Sequence, residues 1–347
     1  MTENSNFNKV MVAFSVFILF VAVMYIRYNY DSFNIADYDA YAYFTDVYWS
    51  GFDRSWILSE PFGWGSLLLL RWVTGSTHYA IVAAHWLLSL TTCAAILLLS
   101  YRYRLKWQGV MMSIAMFGPL LAIVTIRATP AYLLCVGAAL LAARGSLFAV
   151  VLAGLGVLFH NTTILALIPI FLILFQKKFP NSVKIFENKV AIIVISAITG
   201  IIFLFYRQDL FNIFENIIAL APGFMQKYVV YFTSGGSEAA VNAAREPTSL
   251  FHIFFIAGAT IMFAMYIFLS GEEQRPYRLF AISSFAIYIV LSTNPVTSFR
   301  QSIFWIIPIL LTFPWEKLRP KPAVSLGVIA FSLVVLPFGL EAVILSY

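Results

Sequence analysis

Charged side chains are scarce in this chain. Lysine, arginine, aspartate and glutamate together supply 11% of its 347 residues, where an average soluble domain carries about 25%. That scarcity excludes an ordinary water-soluble domain. Cysteine is nearly missing too, and Cys93 and Cys135 both sit inside apolar blocks, which excludes a disulfide framework and a cysteine metal site. Neither a basic leader region nor a small-residue cleavage site accompanies the first apolar block, Val10 to Ile26, so it reads as a retained helix rather than a signal peptide. Alternating apolar and polar positions are absent as well, and with them the signature of a membrane β-barrel.

What the chain has in excess is continuous apolar sequence: 61% hydrophobic residues and a mean hydropathy of +0.86. The blocks run at about 10–26, 78–100, 109–126, 129–143, 146–159, 162–175, 190–206, 250–270, 278–293, 301–315 and 323–345. A spanning helix needs about 20 mainly apolar residues, and only helices or closed barrels satisfy their backbone in lipid. The expected fold is an all-α polytopic membrane protein with about 11 transmembrane helices (10–12) in a single integral membrane domain, 1–347. Residues 61–73 are apolar but short, with Gly63, Gly65 and Arg71 among them, and predict a re-entrant or interfacial helix.

Position, not total, gives the basic residues meaning. The net charge of +6 is no sign of nucleic-acid binding in such a chain. Residues 101–106, 176–189, 275–278 and 315–321 are short and basic, and the positive-inside rule puts them in the cytoplasm. Segments 27–77 and 207–249 then fall outside. Arg27, Arg54, Arg71, Arg127, Arg207, Arg245 and Arg300 share that outer side with a single lysine, Lys227. A guanidinium binds phosphate or carboxylate in a bidentate way that an ammonium does not, so the bias points to an anionic ligand outside. Arg127 and Arg300 are the sharpest candidates, because each lies between apolar blocks with little loop around it.

Other outer residues carry complementary chemistry. His160, followed by Asn161, Thr162 and Thr163, forms a polar patch between two short helices. Glu60 stands directly before Pro61, where a helix N-terminus favours an anion, so the alternatives are a chemical role and simple capping. Asp37, Asp39, Tyr41 and Tyr43 combine carboxylates with rings, which suits a sugar or an interfacial aromatic belt. Residues 207–249 contain glycines and small residues and are a candidate lid. His85 reads as a packing residue.

Several of these pieces, in this order, resemble the EpsG-like and Wzy-like polymerases of bacterial surface polysaccharides. They are Asp37 with Tyr41, Glu60-Pro61-Phe62, Arg127 after an apolar helix, Phe159-His160 with small polar residues behind, and Arg300-Gln301. One departure is Arg127-Ala128 where such families often have Arg-Gln. The resemblance implies a glycosyltransferase with a GT-C-like bundle at the outer face of a bacterial inner membrane. It would polymerise undecaprenyl-pyrophosphate-linked oligosaccharide units into O-antigen, capsule or exopolysaccharide, with no metal or other cofactor. A separate chain-length regulator is the implied partner. On this view Arg127 and Arg300, helped by Arg207 or Arg245, hold the pyrophosphate. Asp37, Glu60 and His160 compete for the role of base, and Asp39 and Tyr41 contact sugar. The rival readings are a metal-dependent GT-C enzyme using a lipid-monophosphate donor, with Asp37-Tyr-Asp39 on the metal, and a flippase or transporter of lipid-linked glycan.

Overall fold

The computed structural model describes residues 3–29, 38–54, 60–179, 188–206, 209, 213, 250–291, 295–318 and 320–345. Thirteen α-helices of more than one turn are described: α1 Glu3–Asn29, α2 Tyr38–Trp49, α3 Pro61–Thr74, α4 Thr77–Tyr103, α5 Trp107–Pro119, α6 Ala128–Ala142, α7 Phe148–Phe159, α8 Ile164–Lys178, α9 Lys189–Phe205, α10 Leu250–Leu269, α11 Arg275–Leu291, α12 Pro295–Thr312 and α13 Lys321–Leu345. No strand occurs among the described residues. Every apolar block in the sequence coincides with a helix. The short block at 61–73 is α3, while α2 is a helix over residues whose pattern showed only acids and aromatics.

Among the described residues four stretches are long and apolar enough to cross a membrane: Asn6–Asn29, Thr77–Tyr103, Trp107–Val124 and Asn161–Lys178. Shorter apolar stretches run at Ala128–Ala142, Phe148–Phe159, Lys189–Ile202, Ala257–Leu269, Ser302–Thr312 and Lys321–Pro337. Large apolar side chains stay exposed along several faces, among them Phe14, Phe17 and Val21 on α1 and Ile195, Ile198 and Ile202 on α9. Faces of that kind suit lipid and are rare on soluble monomers.

The chain divides into two compact units, residues 1–174 with 310–347, and residues 175–309. In the first, α1, α4, α5 and α13 pack together, α3 lies against α4, and α6 and α7 form an antiparallel pair. Alanines at 131, 138, 139, 142, 149 and 153 are almost fully buried. Small residues let helix backbones approach closely, which drives packing in lipid. The α6–α7 turn is tied to the end of α4: Arg144 lies 4.2 Å from the Tyr103 ring centroid and Arg144 Nη2 donates to Arg102 O. In the second unit, Phe263 stacks on Phe285 at 4.3 Å, with Trp305 edge-on to Phe285. There Lys189 Nζ donates to Ser270 O at 2.7 Å and Arg278 Nη2 to Gly271 O at 3.0 Å, covering carbonyls that follow α10 with positive charge.

Candidate functional site

Local sequence fixes where the site can form. Pro61 starts α3, as proline does well at a first helical position, and leaves Glu60 at its N-cap. The Glu60 side chain makes no capping bond to α3, so simple capping is not what the carboxylate does. Ser76 caps α4 by accepting from Tyr79 N, and left-handed Gly75 closes α3. Together these turns hold α3 antiparallel against α4.

Arg127 is delivered by an irregularity. After Pro119 the helix widens into a π-helical turn, Leu120–Val124, of the kind that concentrates at functional sites. Its carbonyls are taken from outside. Ser89 Oγ donates to Ala122 O at 2.7 Å, Thr129 Oγ1 to Leu121 O at 2.8 Å, and His85 Nδ1 to Ile123 O at 3.0 Å. Arg27, buried at the end of α1, gives Nη2 to Ile123 O at 3.1 Å. Arg127 follows in the turn that starts α6.

Glu60, Arg127 and His160, some 100 residues apart at the extremes, meet in one place. Glu60 is 4% exposed. Its Oε2 pairs with Arg127 Nη1. Its Oε1 accepts from His160 Nδ1 at 2.7 Å and from the Asn161 N–H at 3.3 Å. Because an ionised carboxylate only accepts, Nδ1 carries the hydrogen, and Nε2 is the ring nitrogen that Glu60 leaves unused. The Arg127 guanidinium lies 4.1 Å from the Trp64 ring centroid and 5.4 Å from that of Tyr41, within cation–π range. The Tyr132 ring meets His160 edge-on at 6.2 Å, and Phe62 meets Phe159 likewise at 5.6 Å.

Glycine makes this convergence possible. A Cβ on Gly63 would lie 2.4 Å from Phe159 O, so α3 and the end of α7 touch through bare backbone one residue from His160. Burial alone would raise the Glu60 pKa. The His160 hydrogen bond, the Arg127 charge and the Asn161 N–H outweigh it, and the carboxyl lies below its ordinary range. The group is an anion at neutral pH.

The remaining sequence candidates fall elsewhere. Tyr41 is buried, its ring against Trp64 at 6.2 Å. Asp39 is exposed in the first turn of α2. Asp37, Arg207 and Arg245 lie outside the described residues, as does the candidate lid apart from two positions. Arg300 belongs to α12, with its side chain outside the described ones. Among the described residues no three His, Cys, Asp or Glu side chains gather as metal donors. Arg71 pairs with Asp46, which also accepts from Thr77 Oγ1 at 2.6 Å. At Arg27 and Arg71 the arginine bias of the outer segments therefore serves the fold. Sequence reasoning missed the tie between Arg27 and the π-turn, and it missed Trp64, whose only signal was an aromatic four residues after Glu60.

The EpsG family model matches residues 10–346, nearly the whole chain. The chain belongs to the EpsG family. Neither the comparison with curated proteins nor that with solved structures gives a match. EpsG-family membership makes the chain a membrane polysaccharide polymerase of glycosyltransferase type, working on lipid-linked oligosaccharide. The exposed apolar helix faces agree with a membrane location.

Proposed function

We propose that this EpsG-family chain transfers a growing glycan from its undecaprenyl-pyrophosphate carrier onto a hydroxyl of a newly delivered lipid-linked unit, at the outer face of a bacterial inner membrane. The acceptor oxygen forms a bond to the anomeric carbon as the bond from that carbon to pyrophosphate breaks. The acceptor proton goes to a base, and the lipid pyrophosphate leaves as an anion.

The observation that carries the assignment of roles is the 2.7 Å bond from His160 Nδ1 to Glu60. Both Glu60 oxygens are engaged and its pKa is low, which makes it a poor proton acceptor. Anchored through Nδ1, the imidazole presents Nε2 in a fixed tautomer, the arrangement a general base needs. Glu60 is thus a positioning residue and His160 the base. Arg127 stabilises charge on the leaving diphosphate, where a preorganised cation in a low-dielectric site has its largest effect. A guanidinium carries five N–H donors, so a carboxylate and a phosphate oxygen are compatible partners for it. Arg300, Arg207 and Arg245 remain proposed helpers, Asp37 a proposed second carboxylate, and Asp39 and Tyr41 proposed sugar contacts.

The outer face is supported by the two ends of α1. Near its start, Asn8 Nδ2 donates to Leu105 O at 2.8 Å, beside the basic turn 101–106. Near its finish, Arg27 bonds the π-turn that leads to Arg127. Basic turns mark the cytoplasm, and the candidate site lies at the other end.

Purified protein given a lipid-linked repeat unit should build a ladder of products on a gel, unchanged by a chelator. His160→Ala should abolish the ladder in a protein that still folds and inserts. Full-length ladders from that variant would remove the base assignment. Single-sugar products lost on chelation would point instead to a metal-dependent transferase.

A further inference from the structure

Far from Glu60, the first unit holds a cavity of about 1150 Å³. It is lined by the first turns of α1, the end of α4 with the turn after it, the 3-10 turn at 315–317, and the start of α13. Lys9, Arg104, Lys106 and Lys321 stand in its walls with a single carboxylate, Glu316, and with Trp107 and Trp315. Like charges gathered from separate stretches repel one another, and an anion relieves that repulsion.

Two features show a built wall. Asn8 pins the α4–α5 turn from both sides, Nδ2 donating to Leu105 O and Oδ1 accepting from Trp107 N, each at 2.8 Å. Arg104 closes α4 in the left-handed conformation, φ 52°, which no other non-glycine residue adopts among the described residues. That conformation disfavours any residue with a Cβ, and glycine is its usual occupant at a helix end. Gly75 fills the corresponding position after α3. The backbone at 104 asks for glycine, and the chain keeps a guanidinium on the cavity wall instead.

Depth identifies the surroundings. Nineteen residues of α1 separate Asn8 from Arg27, a rise of about 28 Å at 1.5 Å per residue, close to the roughly 30 Å apolar thickness of a bilayer. The cavity thus lies at headgroup level, on the side of the basic turns. We propose that it binds the phosphate-bearing headgroup of an anionic phospholipid from the cytoplasmic leaflet. The cations take the phosphodiester, and the tryptophans sit at the boundary depth that suits their amphipathic rings. Inorganic phosphate offers the same charge without the acyl chains that would anchor it beside Trp107 and Trp315. The inference is independent of the chemistry assigned to Glu60, Arg127 and His160.

Native mass spectrometry of the delipidated full chain, given phosphatidylglycerol or phosphatidylcholine, tests it. Phosphatidylglycerol should be retained in preference, and inorganic phosphate equimolar with the lipid should not displace it. Arg104→Gly removes the cation while relieving the backbone. Its thermal midpoint should stay equal or rise, and its phosphatidylglycerol retention should fall about fivefold, the usual effect of one basic residue near an anionic surface. Adding Lys321→Gln should bring the loss to about 25-fold. Equal retention of the two lipids, or unchanged retention by folded Arg104→Gly, overturns the proposal. Displacement by equimolar phosphate overturns the lipid assignment in favour of a small-anion site.

Discussion

Exchanging one carboxylate oxygen of Glu60 for an amide separates its duties. Glu60→Gln keeps the shape but loses the charge, and its single remaining oxygen cannot accept from both Arg127 and His160 Nδ1. Polymerisation should drop by about 10²–10⁴-fold, the span general acid–base catalysis commands, with kcat falling more than KM rises. An effect on KM alone would make Glu60 a substrate contact. The same residue predicts an acid-side stability change. Its folded pKa is depressed below 4.5, so its contribution is complete above the unfolded carboxylate pKa and is lost as pH falls through the folded value. A thermal unfolding series from pH 7 to pH 3 should show a drop below about 4.5 that Glu60→Gln lacks. The members of this cluster were legible in the sequence, since Glu60, Arg127 and His160 each drew notice as polar groups among apolar ones. Their mutual bonding was not, because no local pattern links positions 60, 127 and 160.

Among the helices, two devices hold the site, and each is breakable. Gly63→Ala would push a methyl group into the Phe159 carbonyl, so α3 and α7 must part by several tenths of an ångström. Such displacements cost up to about 100-fold in rate when they reach reacting groups. The expected result is a folded protein with a shortened ladder; normal activity from Gly63→Ala would show that α3 adapts. Arg27→Met strips a charged donor from the π-turn carbonyls. It should lower stability by about 1.5–3 kcal/mol, as loss of a hydrogen bond to a charged group does, read as a lower unfolding midpoint in detergent. The apolar blocks revealed the helices themselves, because in lipid a run of apolar residues has few other options. They concealed the π-turn, since 120–124 is as apolar as the helix before it and the donors to its carbonyls come from α1, α4 and α6. They also hid α2, whose twelve residues mix acids with aromatics and so look like an interface segment.

For the whole molecule, sidedness is the property most open to direct measurement. Single cysteines at 104 and 127, in a background lacking Cys93 and Cys135, should react with membrane-impermeant reagents from opposite sides of intact cells and inverted vesicles. Labelling of both from one side would contradict the reading of α1 as a full crossing. The eleven-crossing topology drawn from charge alternation meets four stretches of sufficient length and hydropathy among the described residues. The remaining apolar stretches are shorter over their described residues, and hydropathy alone does not tell a full crossing from a partial one. Shortness has a consequence of its own. The α6–α7 turn is fastened beside Tyr103 at the basic end, and α7 then rises through only 12 residues before His160. That is about 18 Å at 1.5 Å per residue, against roughly 30 Å of hydrocarbon. On the outer-face reading proposed above, His160 then lies about 10 Å short of the outer headgroups. A donor of the proposed prenyl-borne kind would present its diphosphate there from the side without leaving the leaflet, while the hydrophilic glycan trails upward into water.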